Sequence, residues 1–173
     1  LIYLFETNGF QIIKVEENEI NSGSYRIYCK KKISKSINYR ENTSLKATRK
    51  FIDRIKKIKS KCFNFVKKEV KKGKTVMVYG ASTKGNTILQ FFKLDNKLIK
   101  YAAERTPQKW GKYTVGTGIK IISEKEARKM KPDYFLVLPV AFINEFIKRE
   151  RNWLKNGGKF IVPFPKFKIV SQS

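Results

Sequence analysis

The chain contains no histidine, and its two cysteines, Cys29 and Cys62, lie far apart. A histidine-based acid/base or metal centre within these residues is therefore excluded, and the cysteine spacing matches no metal-binding pattern. Cys62 falls on the apolar stripe of an expected helix, which predicts a buried free thiol and suits a reducing, cytoplasmic compartment. Long hydrophobic runs are also missing, since none approaches the roughly 18 residues of a membrane-crossing helix. No membrane partner is expected. The opening Leu1-Ile2-Tyr3-Leu4-Phe5 has neither a basic leader nor a small-residue cleavage site. It reads as mid-domain sequence, so a fragment of a longer chain is expected. Acids are scarce, with 14 Asp and Glu against 39 Lys and Arg, a net charge of +25. Such a field attracts phosphate-bearing ligands of any size, nucleic acid included. The basic residues run through the whole chain, however, as a Lys-rich compositional bias would place them. Charge alone names no partner.

What is present is a globular composition, 41% hydrophobic over 173 residues, enough for one domain with attached pieces. Residues 1–9 read as a helix end closed by Asn8-Gly9. Phe10–Val15 and Ser24–Lys31 read as strands joined by a polar connection, which suggests an antiparallel pair. After the polar stretch Ser34–Thr43 the period changes. Phe51, Ile52, Ile55, Ile58, Cys62, Phe65, Val66 and Val70 recur mostly every three or four residues, predicting a long amphipathic helix. Ser44 is its N-cap, and Lys71-Lys72-Gly73 its end. Strands and helices then alternate. Strands are expected at Thr75–Tyr79, Leu98–Ala103, Ile119–Ile122, Tyr134–Leu138 and Lys159–Val162. Helices are expected at Asn86–Phe92, after the capping box Ser123-Glu124-Lys125-Glu126, and at Ile143–Lys155. The expected fold is α/β: a Rossmann-like parallel sheet flanked by helices, preceded by the antiparallel strand pair and a long linker helix. The expected domains are 1–33, a linker with its helix over 34–72, and 73–173.

The sharpest motif is Gly80-Ala81-Ser82-Thr83-Lys84-Gly85-Asn86-Thr87, directly after the strand Val76-Met77-Val78-Tyr79. It reads G-x-S-x-x-G, a dinucleotide fingerprint with Ser82 in place of the middle glycine. Gly80 allows a sharp turn out of the strand, and Gly85 allows close packing of helix on sheet. Backbone N–H groups around Ser82–Asn86 then face outward at the positive end of a helix. Thr83, Lys84, Asn86 and Thr87 add donors and one charge. A Walker A loop is excluded, because the Lys it needs after the last glycine is replaced by Asn86. Glu104 ends the next strand, where dinucleotide domains carry a ribose-binding acid. Arg105, Lys109 and Trp110 follow it at the sheet edge where open α/β sheets bind ligands. Trp110 either stacks on a base or covers the core.

These residues, together with Gly116-Thr117-Gly118-Ile119, Lys131–Pro139 and Gly157-Gly158-Lys159, resemble one known domain. It is the C-terminal domain of the S-adenosylmethionine-dependent sugar C-methyltransferases, and the resemblance covers about residues 73–170. Residues 1–31 resemble the last two strands of that family's methyltransferase domain, which makes 1–33 its C-terminal end. The resemblance implies that Gly80, Ser82, Thr83, Lys84, Gly85, Asn86 and Thr87 hold the diphosphate of a nucleotide-diphosphate sugar. Glu104, Arg105 and Trp110 would then lie near its nucleoside. It also implies methyl transfer from S-adenosylmethionine to a sugar carbon beside a keto group, chemistry that needs a general base and enolate stabilisation. The cofactor-binding strands and a zinc-binding domain would belong to upstream sequence, leaving this piece inactive alone. Asn21 stands where the family commonly has an active-site histidine, and Val140-Ala141-Phe142 where many members have Trp-His-Phe. Asn21 cannot serve as a base at neutral pH, although it can orient a substrate. No catalytic residue is assigned.

Two other classes compete. A nicotinamide-dependent oxidoreductase or other dinucleotide-binding module would use the same turn, but the middle glycine and any hydride-transfer pattern are missing. A nucleic-acid-binding protein rests on charge alone, without the aromatic-basic motif of an RNA-binding sheet.

Overall fold

A computed structural model of the chain describes residues 1–20, 23–31, 37 and 44–172. Asn21, singled out from the sequence, lies outside them. The chain divides into two compact units, Leu1–Arg49 and Lys50–Ser173.

The first unit holds helix α1 (Ile2–Thr7) and strands β1 (Phe10–Asn18) and β2 (Ser24–Lys31). The strands pair antiparallel from Phe10↔Lys31 to Asn18↔Ser24, with a bulge between Ile12 and Lys14. Asn18 shapes the connection, since its side-chain oxygen accepts from the Ile20 N–H and the Ser24 hydroxyl. The antiparallel pair expected from the alternating pattern is therefore formed.

Helix α2 (Leu45–Lys71) begins as the sequence predicts, with the Ser44 hydroxyl oxygen accepting from the Ala47 N–H. Gly73, at φ +79°, follows its last turn. Within the second unit it buries Ile58, Cys62 and Val66, spaced four residues apart on one face. Burial pushes the Cys62 thiol up to about 12, so it is a core side chain and not a nucleophile at neutral pH.

The second unit is built on a six-stranded sheet. Its strands are β3 (Val76–Tyr79), β4 (Tyr101–Glu104), β5 (Lys120–Ser123), β6 (Tyr134–Val137), β7 (Lys159–Val162) and β8 (Lys168–Val170), in the order β5-β4-β3-β6-β7-β8. All neighbours are parallel except β7 with β8. Helices cover both faces, which is why β3 and β6 are buried at every position. Alternate residues feed two cores. Val76, Val78, Tyr134, Leu136 and Ile161 pack with α2 and with α3 (Thr83–Phe92). Met77, Tyr79, Phe135, Val137 and Phe160 pack with α4 (Glu124–Lys129), α5 (Ile143–Arg149) and α6 (Arg151–Lys155). The chain leaves β3 toward β4 on one side and returns to β6 on the other. The carboxyl ends of β3 and β6 are thus the topological switch point, the edge at which open sheets of this kind bind ligands.

Several expectations change in detail. The helix expected at Asn86–Phe92 starts earlier, at Thr83, because Ser82 caps it. The strand expected at Leu98–Ala103 is shorter. Asp95 folds Leu98 and Ile99 into a turn, accepting both N–H groups, so β4 begins at Tyr101. The helix expected over Ile143–Lys155 breaks at Glu150, at φ −99° and ψ 22°, into α5 and α6. Strand β8 has only three residues and was not expected.

Candidate functional site

The turn after β3 forms as its residue types dictate. Gly80 sits at φ +85°, and a Cβ there would lie 2.7 Å from Pro139 Cγ. Only glycine meets both demands, so Gly80 brings the turn against the segment after β6 at the switch point. Gly85 is the second close approach, since an added Cβ would fall 2.5 Å from Leu138 Cδ1. Close helix-on-sheet packing, expected of Gly85, is what the structure shows.

Ser82 is the N-cap of α3, and its hydroxyl oxygen accepts from the Gly85 N–H at 3.0 Å. The hydroxyl hydrogen remains available to a ligand. Of the turn's amides, Gly80 donates to Ala103 O, Ala81 to Glu104, and Asn86 to Ser82 O. The Ser82 and Thr83 N–H groups have no acceptor among the described residues. The start of a ten-residue helix thus carries two open backbone donors and a hydroxyl at its positive end. Thr83, Lys84 and Thr87 are exposed around this point. The Asn86 side chain is half-buried, and its Oδ1 is a buried acceptor with no protein partner.

Glu104 plays a different part from the ribose-binding acid of dinucleotide domains. It is buried at the end of β4, and both carboxylate oxygens are occupied by the protein. One accepts from the Arg105 and Thr106 N–H groups at 2.9 and 3.0 Å. The other accepts from the Ala81 N–H at 2.9 Å and the Lys109 ammonium at 3.3 Å. Burial alone would raise this carboxyl. Hydrogen bonds from Thr106 and the charge of Lys109 outweigh it and hold the group below the ordinary carboxylate range. Glu104 therefore ties the turn after β3 to the turn after β4. Arg105 is exposed beside it. Trp110 donates its indole N–H to Glu104 O at 2.8 Å and remains 43% exposed, so the ring is oriented and still reachable.

The opposite face of β3 carries a polar network that no motif marked. The Tyr79 hydroxyl, one residue before Gly80, donates to Glu150 at 2.6 Å. Arg128 Nε donates to both Glu150 oxygens, and its Nη2 bonds Glu150 and Glu124. Arg149 Nε donates to the Tyr79 oxygen at 3.2 Å. Burial would raise the Glu150 carboxyl, but hydrogen bonds from Arg128 and Tyr79 lower it overall. The groups satisfy one another, so the network braces β3 under the turn. It also explains the helix break, because Glu150 stands at the junction of α5 and α6.

Among the described residues, no group of three or more His, Cys, Asp or Glu could hold a metal ion. No helix among them is long and apolar enough to cross a membrane. Ala141 is exposed in a short 3-10 turn after β6, next to exposed Phe142.

A family model described as the C-methyltransferase C-terminal domain matches residues 19–165, which include the whole turn, Glu104–Trp110 and the switch point. The chain belongs to the C-methyltransferase C-terminal domain family. It is also 30% identical to C-methyltransferase NovU of Streptomyces niveus over 183 aligned residues, covering 99% of this chain and 44% of that protein. The chain therefore spans less than half the length of this curated relative. In this C-methyltransferase C-terminal domain, the strand–turn–helix at the switch point carries the open backbone donors described above.

Proposed function

We propose that this C-methyltransferase C-terminal domain binds a nucleotide-diphosphate sugar, with its diphosphate on the Gly80–Thr87 turn. The domain then serves a C-methyltransferase that alkylates a sugar carbon next to a keto group. The carrying observation is the pair of N–H groups, of Ser82 and Thr83, without an acceptor among the described residues, at the start of α3 and at the switch point. Lys84 supplies the charge, and Ser82, Asn86 and Thr87 supply side-chain donors. Asn86 contributes through its amide nitrogen, once the carboxamide turns its orphaned oxygen away. Arg105 and the exposed face of Trp110 lie on the nucleoside side.

In this reading, residues 1–33 are the end of a methyltransferase domain, 34–72 a linker with its helix, and 73–173 the substrate domain, working in the cytoplasm. S-adenosylmethionine supplies the methyl group as an electrophile. The Gly-rich turn after a parallel strand is assigned here to diphosphate, so no residue of this chain is assigned to the methyl donor. No residue of this chain is assigned to zinc, since it has no histidine and only two cysteines.

Ser82 in place of the fingerprint's middle glycine favours this reading over a dinucleotide. Glu104, whose four acceptor contacts are all made by the protein, supports the turn and is assigned no contact to the ligand. Calorimetry with a nucleotide-diphosphate sugar, NAD and an RNA oligomer tests the assignment. The sugar nucleotide is expected to bind tightest, and Lys84→Ala to weaken it about tenfold, as loss of one charged contact does. Tightest binding to NAD, undiminished by Lys84→Ala, would refute it.

A further inference from the structure

Ala81 is gripped at both ends by one ion pair. Its N–H donates to Glu104 Oε2 at 2.9 Å, and its carbonyl oxygen accepts from Lys109 Nζ at 2.9 Å. The ammonium lies 3.3 Å from the same carboxylate oxygen. Lys109 is thus half-buried and engaged with the protein, although it stands among the cations of the ligand edge.

The consequence follows from peptide geometry. The Ala81–Ser82 bond is trans, so its carbonyl and the Ser82 N–H point in opposite directions from one plane. Holding Ala81 O on Lys109 therefore turns the Ser82 N–H to the other side, where it has no protein acceptor. A half-turn of that peptide would exchange the two groups. It would present a carbonyl dipole to the anion and withdraw one of the two open backbone donors. Nothing else in the described hydrogen bonding holds Ala81 O.

We propose that Lys109, oriented by Glu104, is a positioning residue for anion binding: it locks the Ala81–Ser82 peptide with the Ser82 N–H aimed at the diphosphate and does not itself contact the ligand. This rests on the diphosphate reading of the turn. It divides the cations of the ligand edge by role, with Lys84 beside the anion and Lys109 behind the turn.

The test uses inorganic pyrophosphate with the 173-residue chain, calorimetric affinity, and the amide resonance of Ser82 during the titration. Lys109→Met keeps the apolar stem and removes the donor. It is expected to weaken pyrophosphate about ten- to a hundredfold, the worth of a hydrogen bond to a charged group. It is also expected to abolish the ligand-induced shift of the Ser82 amide. Lys109→Arg, which keeps donor and charge, is expected to retain the shift and most of the affinity, and it decides the matter if the Met variant does not fold. Lys84→Ala is expected to weaken binding while leaving the Ser82 shift at saturation. Three results overturn the proposal: a Met variant that binds like the parent, a weakened Met variant whose Ser82 amide still shifts, or an Arg variant that binds without the shift. Failure of the diphosphate reading is separately visible, because then the unaltered chain binds no pyrophosphate or Lys84→Ala leaves binding intact.

Discussion

Replacing Gly80 by alanine perturbs the site at the point where turn and switch point meet. Two costs add. A left-handed backbone at a residue with a Cβ costs about 1–2 kcal/mol. The new methyl would also lie 2.7 and 2.8 Å from Pro139 Cγ and Cδ, ring atoms with little freedom to retreat. Overpacking of this kind costs about 1–3 kcal/mol. Gly73→Ala is the control. Gly73 has nearly the same backbone, at φ +79°, but nothing lies within 4 Å of its added Cβ. It should show the first cost alone. Subtracting the two isolates the close approach, an excess of about 1–3 kcal/mol. For a chain of this size each kcal/mol lowers the Tm by about 2–4 °C. Tryptophan fluorescence suits the measurement, since Trp110 and Trp153 both belong to the unit that carries the turn. Equal losses for the two variants would refute the close approach of the turn to Pro139.

Three further outcomes are expected. Ser82→Ala removes the N-cap of α3 and costs about 1 kcal/mol, whereas Ser82→Gly costs only a few tenths, read by urea unfolding. A thiol reagent at neutral pH should label exposed Cys29 in the native chain and reach Cys62 only in denaturant. Glu150 has a lower carboxyl pKa when folded than its ordinary 4.5, so the unfolded state binds the more protons near that pH. Its contribution is complete above 4.5 and is lost as pH falls through the folded value. Glu150→Gln should therefore flatten the acid limb of the stability profile and lower stability at neutral pH by about 3 kcal/mol.

Much of this was legible in the sequence because local chemistry and tertiary need coincide. Val76–Tyr79 is apolar at every position, as a parallel strand covered on both faces must be. Gly80 and Gly85 were readable because each meets a steric demand that no other residue satisfies. The break at Glu150 was not readable. The sequence shows one continuous amphipathic period, and a long-range network to Arg128 and Tyr79 overrides it. Strand β8 is short and pairs only at the sheet edge, so it leaves a faint pattern. The sequence places Glu104 at the end of its strand, as observed, but its partners come from Ala81, twenty-three residues away, and from the turn that follows it. No spacing rule announces that an acid at this position faces inward. Lys109 is likewise indistinguishable from the surrounding lysines until its carbonyl partner is known.

The central claim is that the turn after β3 is a diphosphate clamp. Amide resonance mapping during titration with a nucleotide-diphosphate sugar tests it most directly. The account predicts that the largest displacements fall on Ser82–Thr87, with Arg105 next and the β1–β2 pair unmoved. Displacements spread evenly along the lysine-rich surface, with the Ser82 and Thr83 amides unmoved, would contradict it.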